Sequence, residues 1–270
     1  MHAGPDIVDR IGDDGQIGHA YELADFSGFV LKAHYESTVG RAHALTQDTG
    51  QTVYGGIALN QHTGGINASA VAAALSSGEE SCGCPPRMPT PSKRRVCRGC
   101  AITNRDFPLT PMPYRRWTRG PRRRPTSSWL WIADHDAVLA TGHLSGEECH
   151  WLRERAKHFG ISRMLFTHPS YTVPGLTASQ VEDLVDAGGH AEITTYQLLH
   201  QPGCTPAMLA DVARAAGDKL ILSSDVGQPN SPPPPEALLL LLDTLAGEGL
   251  DRLWLEAAAS TTPASLFAPA

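Results

Sequence analysis

The chain has 270 residues, of which 41% are hydrophobic and 6% aromatic, and it carries 22 Lys and Arg against 28 Asp and Glu. This length suffices for one large domain or two small ones with a substantial core. The apolar runs, such as the leucines at 238–242, are far shorter than a bilayer span, and the start has no signal-peptide pattern. We therefore expect a cytoplasmic protein with no membrane partner.

One segment differs from the rest of the chain in charge and composition. Residues 82–125 carry twelve Lys and Arg and one acid, a net charge of plus 11. Because the whole chain carries minus 6, the remainder carries minus 17. The same segment holds four of the six cysteines and nine of the 21 prolines. Two different compositions therefore share one chain.

Outside this segment, short apolar runs alternate with capped helical stretches. Ser145 with Glu148, and Thr177 with Gln180, have the spacing of capping boxes. The predicted strands end near residues 2, 34, 60, 143, 168, 194 and 225. Because nearly every strand is followed by a helix, the strands should be parallel and buried.

The strand count predicts the fold class. Seven strands are recognisable, and the gap between residues 60 and 137 has room for one more strand and helix. An α/β protein with eight such units is a (β/α)8 TIM-like barrel, with its catalytic groups at the carboxyl ends of the strands. We expect one barrel over residues 1–270, its fourth strand and helix disrupted by a disordered segment at 80–130.

Polar residues close the predicted strands. They are His2, Lys32, His34, His143, His168, Glu192 and Asp225. A lone histidine at a strand end is usually a loop or core residue, but three histidines and an aspartate at corresponding positions predict a site for a divalent metal, Zn or Mn. Lys32 and His34 would complete the site or bind substrate, although Lys32 can also be read as a snorkelling lysine.

Other polar residues have a weaker connection with this site. Asn60, Asn67 and Gln228 fall at the same strand ends, where they would orient substrate or act as caps and turns. Six further histidines fall on helices or loops and are predicted to be solvated: His43, His135, His150, His158, His190 and His200.

Several sequence fragments resemble an uncharacterised branch of the amidohydrolase superfamily. These are His2-Ala3-Gly4-Pro5-Asp6, Val30-Leu31-Lys32-Ala33-His34-Tyr35, Gly56-Ile57-Ala58-Leu59-Asn60, Gly64-Gly65-Ile66-Asn67, Ala140-Thr141-Gly142-His143-Leu144-Ser145, Thr167-His168-Pro169 and Ser223-Ser224-Asp225-Val226-Gly227-Gln228. The resemblance implies a metal-dependent hydrolase barrel. Its ligands are a His-x-His on the first strand, a His on each of the fifth and sixth, and an Asp on the eighth that also accepts a proton. These map to His2, His143, His168 and Asp225, and the resemblance supplies no substrate.

The start of the chain departs from that pattern. Only the second histidine of His-x-His is present, as His2. We expect the true start to lie upstream of Met1 and metal binding by the present chain to be weak.

Three hypotheses account for the basic segment. Cys82-Gly83-Cys84 and Cys97-x-x-Cys100 have the spacing of a zinc knuckle. The prolines and the absence of apolar periodicity favour instead a frameshifted segment from about 79 to 131, since a reading one base earlier gives an apolar strand. A genuine disordered basic insert is the third hypothesis.

The predicted function is metal-dependent hydrolysis of an amide, ester or lactone-like bond in a small molecule. His2, His143, His168 and Asp225 would hold the metal, Asp225 would take a proton from its water, and Lys32 and His34 would serve catalysis. The alternatives are a zinc-dependent nucleic-acid-binding protein and an inactive pseudoenzyme. The first hypothesis implies a small-molecule substrate and no nucleic-acid partner, and it leaves a homo-oligomer open.

Overall fold

Strands and helices alternate along the chain. The computed structural model describes residues 1–77, 100–101 and 127–268, and only the backbone of 100–101. The strands are β1 (Gly28–Val30), β2 (Thr52–Tyr54), β3 (Ile57–Ala58), β4 (Cys100–Ala101), β5 (Leu139–Ala140), β6 (Met164–Phe166), β7 (His190–Thr194) and β8 (Leu220–Ser223). The helices are α1 (Asp14–Leu23), α2 (Val39–Thr49), α3 (Ala68–Ser76), α4 (Ser128–Asp134), α5 (Gly146–His158), α6 (Ala178–Asp186), α7 (Thr195–His200), α8 (Pro206–Ala216), α9 (Pro234–Gly247), α10 (Arg252–Ala259) and α11 (Thr261–Phe267). No helix in these ranges is long and apolar enough to cross a membrane.

The strands form two parallel sheets. β1 pairs with β2, and β3 to β8 form a six-stranded sheet in chain order. Every pairing between these strands is parallel, as the alternation of strands and helices predicts. The protein therefore has a mixed α/β fold with parallel sheets.

Backbone hydrogen bonds also connect the chain outside the two sheets. His2 forms a parallel bridge with Lys32 and donates its N–H to the carbonyl oxygen of Val226 at 3.0 Å. Leu31 donates its N–H to the carbonyl oxygen of Tyr54 at 2.9 Å. The chain beyond β8 is thus joined through His2 to the end of β1, and from there to β2.

Local signals fix most helix boundaries. Ser145 accepts from the Glu148 N–H at 3.3 Å, and the Glu148 carboxylate accepts from the Ser145 N–H at 2.8 Å. The same reciprocal pair joins Thr177 and Gln180 at the start of α6. Both predicted capping boxes are confirmed, and each satisfies two N–H groups that the first helical turn leaves unpaired.

One predicted strand is divided in two. The apolar run from Val53 to Leu59 forms β2 and β3, with Gly55 and Gly56 between them. A Cβ atom on Gly55 would lie 2.5 Å from the Cα of Val39 in α2. The chain passes α2 so closely at this point that only glycine fits.

Both faces of the six-stranded sheet are buried. On β6, Phe166 packs among the surrounding helices, while Leu165 points to the opposite face. The opposite face contacts Leu266 and Phe267 of α11. Because successive strand residues alternate between faces, both sides of the sheet are apolar, and polar side chains collect where the strands end.

The structure describes only part of the anomalous segment 80–130. Cys100–Ala101 forms β4, which pairs with β3 and β5 where the sequence predicts a disrupted fourth strand. Regular structure resumes with α4 at Ser128, shortly before the predicted boundary at residue 131. The prediction of disorder at 80–130 is wrong for residues 100–101 and 128–130, which form β4 and the start of α4. The other residues of that segment, Cys82, Cys84 and Cys97 among them, lie outside the described ranges, as does most of the predicted frameshift.

Candidate functional site

The polar residues at the carboxyl ends of the strands line two adjoining cavities. The first, the mouth cavity, has a volume of about 110 Å³ and is lined by His2, His34, His143, His168, Tyr171, Tyr196, Asp225 and Gln228. The second, the inner cavity, has a volume of about 70 Å³. It shares with the first His2, His34, His143, His168 and Asp225, and adds Lys32 and apolar residues of the strands. All four predicted metal ligands therefore line both of these adjoining cavities.

Lys32 lies between two buried carboxylates. Its Nζ atom is 3.0 Å from Asp225 Oδ1 and 3.5 Å from Glu192 Oε1. Ser223 donates its hydroxyl to Glu192 Oε1 at 2.7 Å, while Glu192 Oε2 is buried and has no hydrogen-bond partner within the described residues. The Lys32 side chain is 22% exposed and ion-paired, so the alternative of a snorkelling lysine is wrong.

These charges fix the protonation of Lys32 and Asp225. Burial by itself lowers the pKa of Lys32, but the charges of Asp225 and Glu192 outweigh burial and raise that pKa. Burial by itself raises the pKa of Asp225, but the Lys32 ammonium and a hydrogen bond from His2 hold it well below its usual value. At neutral pH, Lys32 is therefore a cation and Asp225 an anion.

Four histidine rings lie next to one another beside Asp225. His2 stacks on His34 with ring centroids 4.8 Å apart, and His34 is 6.0 Å from His143. The rings of His143 and His168 are 4.6 Å apart. His2 Nε2 lies 3.6 Å from Asp225 Oδ1. The structure thus brings the four predicted metal ligands and His34 together.

Burial keeps these imidazoles uncharged at neutral pH. It lowers the pKa of His2 to about 3 and the pKa values of His143 and His168 to about 4, and it also lowers the pKa of His34. The Nδ1 atoms of His2 and His168 are buried and have no hydrogen-bond partner among the described residues. Buried polar atoms are usually paired, so these two nitrogens call for a functional explanation.

The backbone is unusual at two of the candidate ligands. His168 and Asp225 have φ angles of 31° and 50°, in a region that residues other than glycine rarely occupy. Gly227 has φ 153°, and a Cβ atom there would lie 2.2 Å from the carbonyl oxygen of His2. The close approach of Gly227 brings the chain after β8 against His2. Strained residues of this kind cluster at functional sites.

The side chains are of the types that hold a metal, but they do not form a ready-made coordination shell. Uncharged imidazoles and a carboxylate are the usual zinc ligands. Among the described residues, no three His, Cys, Asp or Glu side chains are grouped closely enough to hold a metal ion. Asp225 Oδ1 lies 3.0 Å from Lys32 Nζ and 3.6 Å from His2 Nε2, so a bound metal must compete with these contacts.

Three other predicted residues have distinct roles. Asn60 donates its side-chain amide to the carbonyl oxygen of His34 at 2.8 Å and so holds the chain that carries that histidine. Asn67 caps α3 by accepting from the N–H groups of residues 69 and 70, which confirms its alternative reading as a cap. Gln228 lines the mouth cavity.

Of the six histidines predicted to be solvated, His158 is exposed, and the other five are only partly exposed: His43, His135, His150, His190 and His200. His200 lies 2.8 Å from the hydroxyl of Ser231 and packs against Tyr196. His190, the first residue of β7, is half-buried, with a buried Nδ1 atom that has no partner in the described part of the chain.

The sequence analysis missed two tyrosines of the mouth cavity. Tyr171 follows His168 by three residues, and its ring lies 5.2 Å from that of His168. Tyr196 is in the first turn of α7, and its ring lies 5.9 Å from that of Tyr171. The available signal was an aromatic residue soon after each of two predicted strand ends.

The fold and the site define a mixed α/β protein with histidines and an aspartate clustered at the ends of parallel strands. The model of a family described as a family of unknown function, DUF6282, matches residues 1–192. Because this match covers more than half of the chain, the protein belongs to that family. The matched range includes all the candidate site residues from His2 to Glu192, and it ends before Asp225. No curated protein matches the chain.

Acid should destabilise the metal-free protein. The pKa of His168 is about 4 in the folded protein, whereas an unburied histidine has the ordinary value of 6.5. Between these two pH values, only the unfolded chain takes up a proton at this residue. The free energy of unfolding therefore decreases as the pH falls from 6.5 to about 4. His168 alone accounts for about 3 kcal/mol of this decrease. Urea unfolding at pH 7.0, 5.5 and 4.5 measures this loss.

A matched pair of variants identifies the source of that pH dependence. His168→Gln should make the curve less steep, with the remaining slope due to His2, His34 and His143. His19→Gln should leave the curve unchanged because the His19 side chain is 66% exposed. A free energy of unfolding that stays constant from pH 7.0 to 4.5 would contradict the uncharged state of the buried histidines.

Proposed function

We propose that this protein is a metal-dependent hydrolase of the amidohydrolase type, acting on an amide, ester or lactone-like bond of a small molecule. The observation that carries the proposal is the convergence of His2, His143, His168 and Asp225 on one cavity. They come from four separate strand ends, and each offers a metal-binding atom type.

The strand order supports a (β/α)8 barrel as the framework of this site. β3 to β8 are adjacent in chain order, and β1 pairs with β2. The bonds from Val226 to His2, from His2 to Lys32 and from Leu31 to Tyr54 link the remaining neighbours. If residues 1–2 are counted as the first strand, and β2 and β3 as one continuous strand, the chain has eight parallel strands. Their order fits a closed ring in which the carboxyl ends of all the strands meet at one mouth.

The donor set fits a divalent cation such as Zn or Mn. His2, His143 and His168 are uncharged and can offer a nitrogen lone pair. In His2 and His168 the Nδ1 atom is buried and has no partner among the described residues. Asp225 is ionised and supplies an oxygen. When bound, such an ion acts as a Lewis acid and lowers the pKa of a water molecule toward neutrality.

The chain's own residues then have distinct roles. The described contacts of Asp225 with Lys32 and His2 both use Oδ1, which leaves Oδ2 to accept a proton from water and return it to the leaving group. Lys32 keeps Asp225 ionised, and Glu192 holds Lys32 in place. His34 lines the mouth cavity beside the ligands, where it contacts substrate.

Loss and restoration of the metal test the proposal. Chelated protein should hydrolyse none of a panel of 4-nitrophenyl esters, anilides and aryl lactones, and zinc or manganese should restore hydrolysis of at least one of them. His19→Ala is the matched control, since this exposed histidine should leave the metal response unchanged. Hydrolysis at full rate by the chelated protein would refute the role of the metal.

A further inference from the structure

The walls of the mouth cavity consist mainly of rings. His34, His143, His168, Tyr171 and Tyr196 follow one another with ring centroids 6.0, 4.6, 5.2 and 5.9 Å apart. Three of these five rings are imidazoles, and two are the phenol rings of Tyr171 and Tyr196.

Successive rings in this series are tilted against each other. The angles between their planes are 49°, 55°, 65° and 59° along the series from His34 to Tyr196. Aromatic rings attract one another in tilted and edge-to-face arrangements, because the edge of each ring is positive and its face negative. A flat conjugated ring in the cavity would extend the same pattern, whereas a saturated ring would not.

The two tyrosines are held in place from outside the cavity. Gln197 donates its side-chain amide to the Ser170 hydroxyl at 3.0 Å, and Gln201 donates to the Ser170 carbonyl oxygen at 3.1 Å. These bonds tie the segment that carries Tyr171 to α7, which carries Tyr196. The ring surface is therefore organised before a ligand binds, and preorganisation reduces the entropy cost of binding.

Gln228 adds a polar group to the aromatic wall. Its Oε1 atom accepts from the Ser231 hydroxyl at 3.4 Å, and that hydroxyl lies 2.8 Å from His200 Nε2. The Gln228 amide NH2 group has no hydrogen-bond partner in the described part of the chain, so it can donate to an acceptor in the mouth cavity.

We propose that the mouth cavity binds a flat, conjugated ring that carries a carbonyl group, with the ring against Tyr171 and Tyr196 and the carbonyl toward Gln228. The inference rests on the proposed hydrolase function and narrows its substrates to amides, esters or lactones attached to an aromatic or heteroaromatic ring.

Two neutral probes of matched size test this selectivity. Benzamide and cyclohexanecarboxamide share the carboxamide and the six-membered ring, and they differ in the flatness and conjugation of that ring. By isothermal titration of the full chain, we expect benzamide to bind about fivefold to tenfold more tightly. Affinities equal within twofold, or no binding of either probe at millimolar concentration, would overturn the inference.

Variants of Tyr171 separate ring recognition from damage to the fold. Tyr171→Phe keeps the ring and should keep the preference, while Tyr171→Leu should reduce it to twofold or less. Leu199→Ala changes an exposed residue of the same helix as Tyr196 and should leave the preference unchanged. An undiminished preference in Tyr171→Leu would overturn the assignment of Tyr171.

The probes also separate this inference from the proposed function. Because both are uncharged, their binding can be measured with and without zinc. Preference for benzamide in a protein that binds no metal would sustain ring recognition while the hydrolase proposal fails. Metal-dependent hydrolysis with no preference for the flat probe would sustain the hydrolase proposal while ring recognition fails.

Discussion

Replacing His143 by alanine should abolish metal retention and hydrolysis together. His143 lies between His34 and His168 in the cluster, and burial keeps its imidazole uncharged and able to bind a cation. Loss of one of four ligands leaves an incomplete shell, so we expect metal affinity to fall by more than about a hundredfold. Asp225→Ala should have the same two effects, because it removes both a ligand and the proton acceptor.

Metal content after dialysis, measured by atomic emission, and hydrolysis of the panel are the two readouts. His19→Ala serves as the control, and urea unfolding establishes that each variant is folded. Unchanged metal content in both His143→Ala and Asp225→Ala would mean that the site is wrongly placed.

Replacing Lys32 by methionine should destabilise the metal-free protein by about 3 to 5 kcal/mol, because it leaves buried carboxylates without their cation. Lys32 contacts both Asp225 and Glu192, and the Glu192 side chain is only 3% exposed. A divalent ion at Asp225 would replace the missing charge. Zinc should therefore raise the free energy of unfolding more in Lys32→Met than in the parent protein.

Urea unfolding at pH 7 with chelator or with zinc measures both effects. Arg214→Met provides the matched control, since its ion pair with Asp211 is exposed on both sides and should contribute less than about 1 kcal/mol. A Lys32→Met protein as stable as its parent without zinc would show that the buried carboxylates do not need this cation.

Local signals made much of the fold predictable. The capping boxes at Ser145 and Thr177 each lie within four residues of sequence, and β7 ends at Thr194, where the sequence predicts a strand end. α1 was missed although Asp13 and Gln16 form a capping box before it, so the signal was present there as well. The short helices α10 and α11, which follow α9, were not predicted.

The candidate site was predictable in its members but not in its contacts. Strand ends in parallel sheets meet at one edge, which is why His2, His143, His168 and Asp225 could be grouped from the sequence. The ion pairs of Lys32 join residues 160 and 193 positions apart, and they depend on strand register and side-chain length. Tyr171 and Tyr196 escaped prediction because no periodicity indicates where a side chain beyond a strand end will point.

The distance in sequence between Lys32 and Asp225 determines when the site can form during synthesis. The two residues are 193 positions apart, and His2 must also reach Val226. At a translation rate of about 5 to 20 residues per second, β8 is synthesised on the order of ten seconds or more after β1. The proposed ligand set can therefore be complete only after Asp225 and Val226 have left the ribosome.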